Sequence, residues 1–345
     1  MGQRGITNTV LNFGDGTFSP GGQPGAVGYL VGEAHHGIVY MFHMMNEARL
    51  GVGMSAVALG YTGYLKSLEY ARTRPQGRSL LTKDPATPQI PIIEHADVKR
   101  MLLAQKAYVE GGLALELYCA RLVDIVASAE SDDERTSASA LLDLLTPVAK
   151  SWPSQWCVEA NSLAIQVHGG YGYTRDFPVE QYWRDNRLNM IHEGTHGIQA
   201  MDLLGRKVLM EDGRGLALLV ARIQGSMAGV AAIPALQPLA RQLGSALQQV
   251  GTATQAAWST GQPSDALANA VPYMQAFGHT VLAWIWLDVA LASRAHAAGH
   301  AGPAHTGRLA AARYFFHYEL PKIGAWLKVV ESRDRTCADC PEEAF

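Results

Sequence analysis

The chain has 345 residues, 48% of them hydrophobic and 17% charged, the balance of a globular protein with room for two domains and a substantial core. Its formal net charge of −3 gives no reason to expect nucleic acid or acidic lipid as a partner. The longest purely apolar runs, such as 281–287, fall short of the roughly 20 residues of a membrane span, and the opening MGQRGITNTV has no basic stretch followed by an apolar one, so a soluble chain in a reducing cytoplasm is expected.

In chain order, ITNTVLNF (6–13) and GAVGYLV (25–31) are short and β-branched, and the intervening GDGTFSPGGQP reads as their connection; two strands are predicted. Two strands make only a stub of a sheet. From Gly37 the pattern turns helical, because 38–70 holds no Pro and its apolar residues recur at three and four positions. Four prolines in RPQGRSLLTKDPATPQIP then force a loop. Helical segments follow at 97–128, 137–166 and 180–191, with HGGYGYTRDFP breaking the last two apart and Pro147 and Pro153 expected to kink or divide the middle one. A run from about His196 to Gly213 precedes three Ala- and Leu-rich helical stretches, 215–251, 265–298 and 307–330, each expected to bend where a Pro falls. The fold class is mainly all-α: a β stub over 1–35, a four-helix-bundle domain over 36–213 and a second helical domain over 214–345. These segment lengths exclude a central catalytic sheet.

HEGTH (192–196) fits the H-E-x-x-H pattern, in which two His four apart on one helix face hold Zn²⁺ and the Glu activates its water. Gly194 inside the motif and Gly197 after it weaken such a helix, and the further G-x-x-H that one class of these sites carries is missing. Glu193 as a carboxylate base is the competing reading, and no metal site is expected. CADC (337–340) has no second Cys pair to complete a zinc knuckle, and His296, His300 and His305 lie in an Ala/Gly stretch read as a solvated loop.

MIHEGTHGIQAMDLLGRKV resembles the Y-E-G-T-x-x-I-Q segment of the acyl-CoA dehydrogenase family. MGQRGITNTVLNFGD resembles the end of that family's middle β-domain, and YLVGEAHHGIVYMFHMMNEARLGVG the entry to its helical domain. EYARTRPQGR and PIIEHADVKRMLL resemble the flavin-facing loop and the next helix, and AIQVHGGYGYTRDFPVEQYWRD the Q-x-x-G-G-x-G-Y stretch. Together these cover residues 1 to about 210 in the family's order, and the remainder resembles the extra helical domain of the longer branch that includes methylthiopropanoyl-CoA and broad fatty acyl-CoA dehydrogenases.

The resemblance implies FAD-dependent α,β-dehydrogenation of acyl-CoA thioesters. It puts the base at Glu193 and flavin-adjacent positions at Gly194 and Thr195, with Gly194 also beside the substrate. Arg74 and Gln76 match contacts to FAD pyrophosphate and adenine of a neighbouring subunit, Gln166, Gly169 and Gly170 match the other side of that contact, and Asn46 and Arg49 match CoA-contacting positions. His192 stands for the usual Tyr, Gly197 for a Gln of the short-chain branch and Asn46 for a common acidic residue. An electron-transferring flavoprotein and a homodimer or tetramer are the implied partners. Because the family's N-terminal helical domain and most of its β-domain lie before the point where this chain begins, a chain needing an N-terminal partner is expected. A non-catalytic helical assembly module is the alternative, and a zinc hydrolase the remote one.

Overall fold

A computed structural model describes residues 1–14, 16–17, 19–79, 84–296 and 302–345. Among them are eleven α-helices and no β-strand: α1 Gly37–Thr73, α2 Ala96–Ser128, α3 Asp132–His168, α4 Val179–Asn186, α5 His196–Asp202, α6 Met210–Gly229, α7 Gln237–Ala257, α8 Pro263–Leu267, α9 Ala270–His296, α10 Pro303–Tyr314 and α11 Ile323–Glu331. The mainly helical reading of the sequence holds. The β stub does not: 6–13 and 25–31 form no strand, and Val10, Phe13, Tyr29 and Val31 are exposed. A strand is made by its hydrogen-bonded neighbours, and here neither segment has one.

The first three helices form the frame. On α1 the buried residues Val52, Ala56, Val57, Tyr64 and Ala71 recur at helical spacing and turn one stripe towards α2 and α3. The three-residue link at 129–131 makes α2 and α3 antiparallel neighbours, and Ser131 caps α3 by accepting from the Glu134 N–H. α4 closes the bundle through Asn186 Nδ2, which donates to the Ala56 carbonyl at 3.1 Å.

α3 runs undivided through Pro147 and Pro153, against the expected break. Pro153 leaves the Ala149 carbonyl without its helical donor, and tertiary packing takes over at that point. α1 comes so close that a Cβ on Gly53 would stand 2.3 Å from the Ala149 oxygen and 2.1 Å from Oε1 of Glu116, a carboxyl whose burial pushes its pKa well above the usual range. Both prolines are fully buried, so neighbouring helices fix the turn that the lost bonds would otherwise hold.

Beyond α5 a π-helical turn at Leu203–Lys207 and a left-handed run at Glu211, Asp212 and Gly213 lead into the second set of helices. The stretch read as 215–251 is two helices, broken around Pro234; 265–298 begins with the short α8; and 307–330 carries a π-helical turn at Phe315–Glu319. His305 lies on α10, where its ring meets Ser293 Oγ at 3.0 Å, so it is not in a loop; His300 lies outside the described residues. α9 is apolar on every side and, by length and composition alone, could cross a membrane, yet 78% of its most apolar window is buried by other helices. It joins the two helical sets: Trp286 Nε1 donates to the Ala107 carbonyl at 3.1 Å, and Trp152 Nε1 donates to His279 Nδ1 at 3.1 Å.

Candidate active site

Glu193 sits in the turn between a 3-10 stretch, Arg187–Met190, and α5. Its φ is 54° and that of Gly194 is 92°, two successive left-handed residues, the first unusual for a side chain that carries a Cβ. A Cβ on Gly194 would stand 2.6 Å from Gln199 Nε2, so Gly suits this position both for its φ and for its lack of bulk. Side chains hold the turn from behind. Gln199 Nε2 donates to the Glu193 carbonyl at 2.9 Å, Lys150 Nζ to the Gly194 carbonyl at 2.5 Å, and Ser151 Oγ meets His196 Nδ1 at 2.6 Å. In a relay of amides Asn189 Nδ2 donates to Asn186 Oδ1 at 2.9 Å and Asn186 Nδ2 to Asn161 Oδ1 at 2.7 Å, while Asn189 Oδ1 meets His192 Nε2 at 3.0 Å, which ties α3 and α4 to the same turn. The backbone N–H groups of Glu193 and Gly194 have no acceptor among the described residues.

One buried cation, Lys150, faces the carboxylate. Lys150 is fully buried, and burial, with Arg49 adding to it and Glu193 opposing, lowers its pKa to about 8. Burial, then Lys150 and Arg187, lowers His196 to about 4; burial and Lys150 lower His192 too, so both imidazoles are neutral near pH 7. Arg49, only 4% exposed, spends Nη1 on Asp202 at 3.0 Å, and Asp202 also accepts from Arg206 at 2.8 Å. Half-buried Asn46 stands one turn before Arg49 on α1, and exposed Thr195 is the N-cap residue of α5. This arrangement suits a half-exposed carboxylate that takes a proton beside two unsatisfied N–H donors.

The remaining predicted residues gather at the far end of the bundle. The 25 residues from Arg49 to Arg74, at 1.5 Å each, put about 37 Å between the two groups along α1. There the loop base is pinned: Gln76 N donates to the Ile90 carbonyl at 2.9 Å and the Gln76 carbonyl meets His95 Nε2 at 2.7 Å. Arg74 lies 6.0 Å over the Tyr171 ring and has no carboxylate partner among the described residues. Gly169, φ 60°, and Gly170 are exposed, with open space where a Cβ would stand. Beneath them Tyr70 stacks on His168 at 4.4 Å and meets Phe177 at 5.7 Å. Exposed Gln166 borders a cleft of about 570 Å³ lined also by Ile165, Tyr173, Arg175 and Trp183.

Lys150, Ser151, Gln199 and Asp202 were not legible as site residues in the sequence. For Lys150 a signal was there: it is the lone charge between Asp143 and Glu159. HEGTH is no zinc helix, because the left-handed pair at 193 and 194 interrupts it, and His192 and His196 turn to different partners, Asn189 and Ser151.

The same helical arrangement is found within a larger solved protein. An acyl-CoA dehydrogenase of Bacillus anthracis solved with FAD superposes with a TM-score of 0.68 at 18% identity, over 87% of this chain and 51% of that one. Residues 35–209 match the family model described as Acyl-CoA dehydrogenase, C-terminal domain, and residues 219–341 match that described as Acetyl-CoA dehydrogenase C-terminal like. The chain belongs to the acyl-CoA dehydrogenase family. It is 38% identical to the 3-methylmercaptopropionyl-CoA dehydrogenase of Ruegeria pomeroyi, over 79% of this chain and 46% of that one. It is 33% identical to the broad-specificity linear acyl-CoA dehydrogenase FadE5 of Mycobacterium tuberculosis, over 93% of this chain and 55% of that one. The chain thus spans about half the length of the curated relatives it matches.

Proposed function

We propose that this chain is the helical, base-bearing half of an FAD-dependent acyl-CoA dehydrogenase and that Glu193 removes the α-proton of an acyl-CoA thioester. The Glu193–Gly194 turn carries the reading: a carboxylate fixed in a left-handed turn, with unsatisfied backbone N–H groups beside it, offers a proton acceptor and a carbonyl-polarising donor in one place. Binding through those N–H groups draws charge onto the thioester oxygen, so the α-proton becomes acidic as Glu193 takes it. FAD, when bound, supplies the acceptor for the β-hydride. Buried Lys150 and Arg49 add a positive field that favours the enolate-like charge, and neutral His192 and His196 do not compete for the proton. Asn46, Arg49 and Gly194 border the acyl-CoA side.

The far end fits the nucleotide part of FAD. A guanidinium at Arg74 with no carboxylate partner among the described residues and uncovered backbone at Gly169 and Gly170 suit a pyrophosphate, and Gln76 and Gln166 offer amides to the adenine. One extended FAD does not span the distance between the two ends, which supports a homodimer or tetramer in which each flavin touches the Thr195 end of one subunit and the Arg74 end of another. Ile6, Val10, Leu11, Phe13, Ile38 and Val39 are exposed along the start of the chain, and we assign this apolar surface to an N-terminal β-domain portion that covers the flavin. An electron-transferring flavoprotein is the electron acceptor in this reading, and the left-handed run at 211–213 divides the flavin-facing helical domain from the C-terminal one.

Combining the purified chain with the N-terminal portion of a close relative tests this. Flavin occupancy and acyl-CoA oxidation are expected to rise together, and Glu193→Gln is expected to abolish oxidation while flavin stays bound. Flavin bound with no oxidation of any acyl-CoA would favour a non-catalytic assembly role; turnover by Glu193→Gln would end the base assignment.

A further inference from the structure

We propose that Lys150 is a positioning residue for Glu193, holding the left-handed turn at 193 and 194 through the Gly194 carbonyl; this rests on the reading of Glu193 as the base. Lys150 is wholly buried on α3, and its Nζ meets no carboxylate within ion-pair distance among the described residues and donates to the Gly194 oxygen at 2.5 Å. A buried ammonium without an acid partner weakens a fold unless something else requires it. What it does here is specific. Glu193 and Gly194 are the consecutive left-handed residues of the turn, and each carbonyl is gripped by one side chain, Gln199 for the first and Lys150 for the second. The next residue on α3, Ser151, binds His196 at 2.6 Å, so two adjacent residues of one helix fix both ends of the segment from 194 to 196. α3 is itself held at this level by the close approach of Gly53 and by buried Pro147 and Pro153, which makes it a rigid support.

The charged and titratable groups facing Lys150 are Arg49 from α1, Glu193 and His192 in the turn and His196 on α5. Only Glu193 among them carries negative charge. Removing the ammonium therefore has two separable effects: the Gly194 carbonyl loses its donor, and the two imidazoles lose a repelling neighbour and take up protons more readily.

The test uses Lys150→Met beside Glu193→Gln. In the 345-residue chain, NMR titration of His196 is expected to shift upward in Lys150→Met, and backbone order parameters at Gly194 and Thr195 to fall from the rigid range to below about 0.6 while those in α2 stay at the wild-type values. In the flavin-loaded assembly kcat is expected to fall about 10- to 100-fold, the range for small misplacement of a catalytic group, with KM for acyl-CoA nearly unchanged. If Lys150→Met fails to fold, Lys150→Ala with added ethylamine decides: recovery of kcat supports the clamp, and no recovery overturns it. Wild-type kcat and wild-type order parameters at Gly194 in Lys150→Met, in a preparation where Glu193→Gln is inactive, overturn the proposal. If Glu193→Gln stays active, the base assignment has failed independently, and the order-parameter and titration data alone decide whether Lys150 sets the turn.

Discussion

The two ends of the long bundle are built on opposite principles. At the Glu193 end the residues behind the turn are tied within the chain, Lys150 to Gly194, Ser151 to His196, Gln199 to Glu193 and Arg49 to Asp202, although Arg49 Nε, His196 Nε2 and Gln199 Oε1 are buried without a partner among the described residues. At the Arg74 end an aromatic floor of Tyr70, His168 and Phe177 supports exposed glycines and an Arg with no acid partner among the described residues. A reacting group has to be held in place before substrate arrives, because misalignment lowers the rate steeply. A phosphate-binding end needs only unspent donors, which the ligand then orders. The chain builds the first from its own bonds and leaves the second open to a ligand.

If that contrast is right, acid should loosen the Glu193 end first. The unfolded His has its ordinary value of 6.5 and half-buried His196 about 4, so between those limits the unfolded state binds the extra proton, and the stability His196 contributes is lost as pH falls from 6.5 towards 4. At 1.36 kcal/mol per unit the loss is at most about 3 kcal/mol. Denaturant melts of wild type and His196→Gln across this window should converge as the pH drops; parallel curves would remove His196 from the account.

Backbone substitutions sharpen the contrast. Gly194→Ala must accept a left-handed φ and displace Gln199 Nε2, at a cost of about 1–3 kcal/mol read by chemical denaturation. Arg74→Ala should leave stability alone and weaken FAD binding by about 10- to 100-fold, as loss of a charge-assisted contact does, with a weaker dependence on salt by fluorescence titration. Gly170→Ala, with open space around it, should change stability by less than about 0.5 kcal/mol, and its effect should show in FAD affinity only. Equal destabilisation at 170 and 194 would erase the distinction between the ends.

The helices were legible because their signal is local. α1 follows from an apolar stripe unbroken by Pro, and α2 began and ended within a residue of the segment read from its pattern. The strands at 6–13 and 25–31 were misread because β-branched residues report only that a segment suits a sheet, and the partners that make a strand lie elsewhere. The continuity of α3 was hidden for the opposite reason: Pro153 predicts a local break, and the remedy is the approach of Gly53 from another helix, 100 residues away. Glu193 and its neighbours were found through resemblance of an ordered set of motifs, whereas Lys150 and Gln199 act through backbone carbonyls, which any sequence supplies and none advertises. Arg49 was expected at CoA, and its burial against Asp202 could not be read from spacing, since the two lie 153 positions apart.

The most direct measurement of the central claim needs no hydride transfer. In D₂O, the flavin-loaded assembly should exchange the α-hydrogen of a bound acyl-CoA for deuterium, because Glu193 removes and returns a proton at that carbon, and mass spectrometry of the recovered thioester reads it. The account predicts exchange with wild type and none above the uncatalysed rate with Glu193→Gln. Equal deuterium incorporation by both proteins would contradict it.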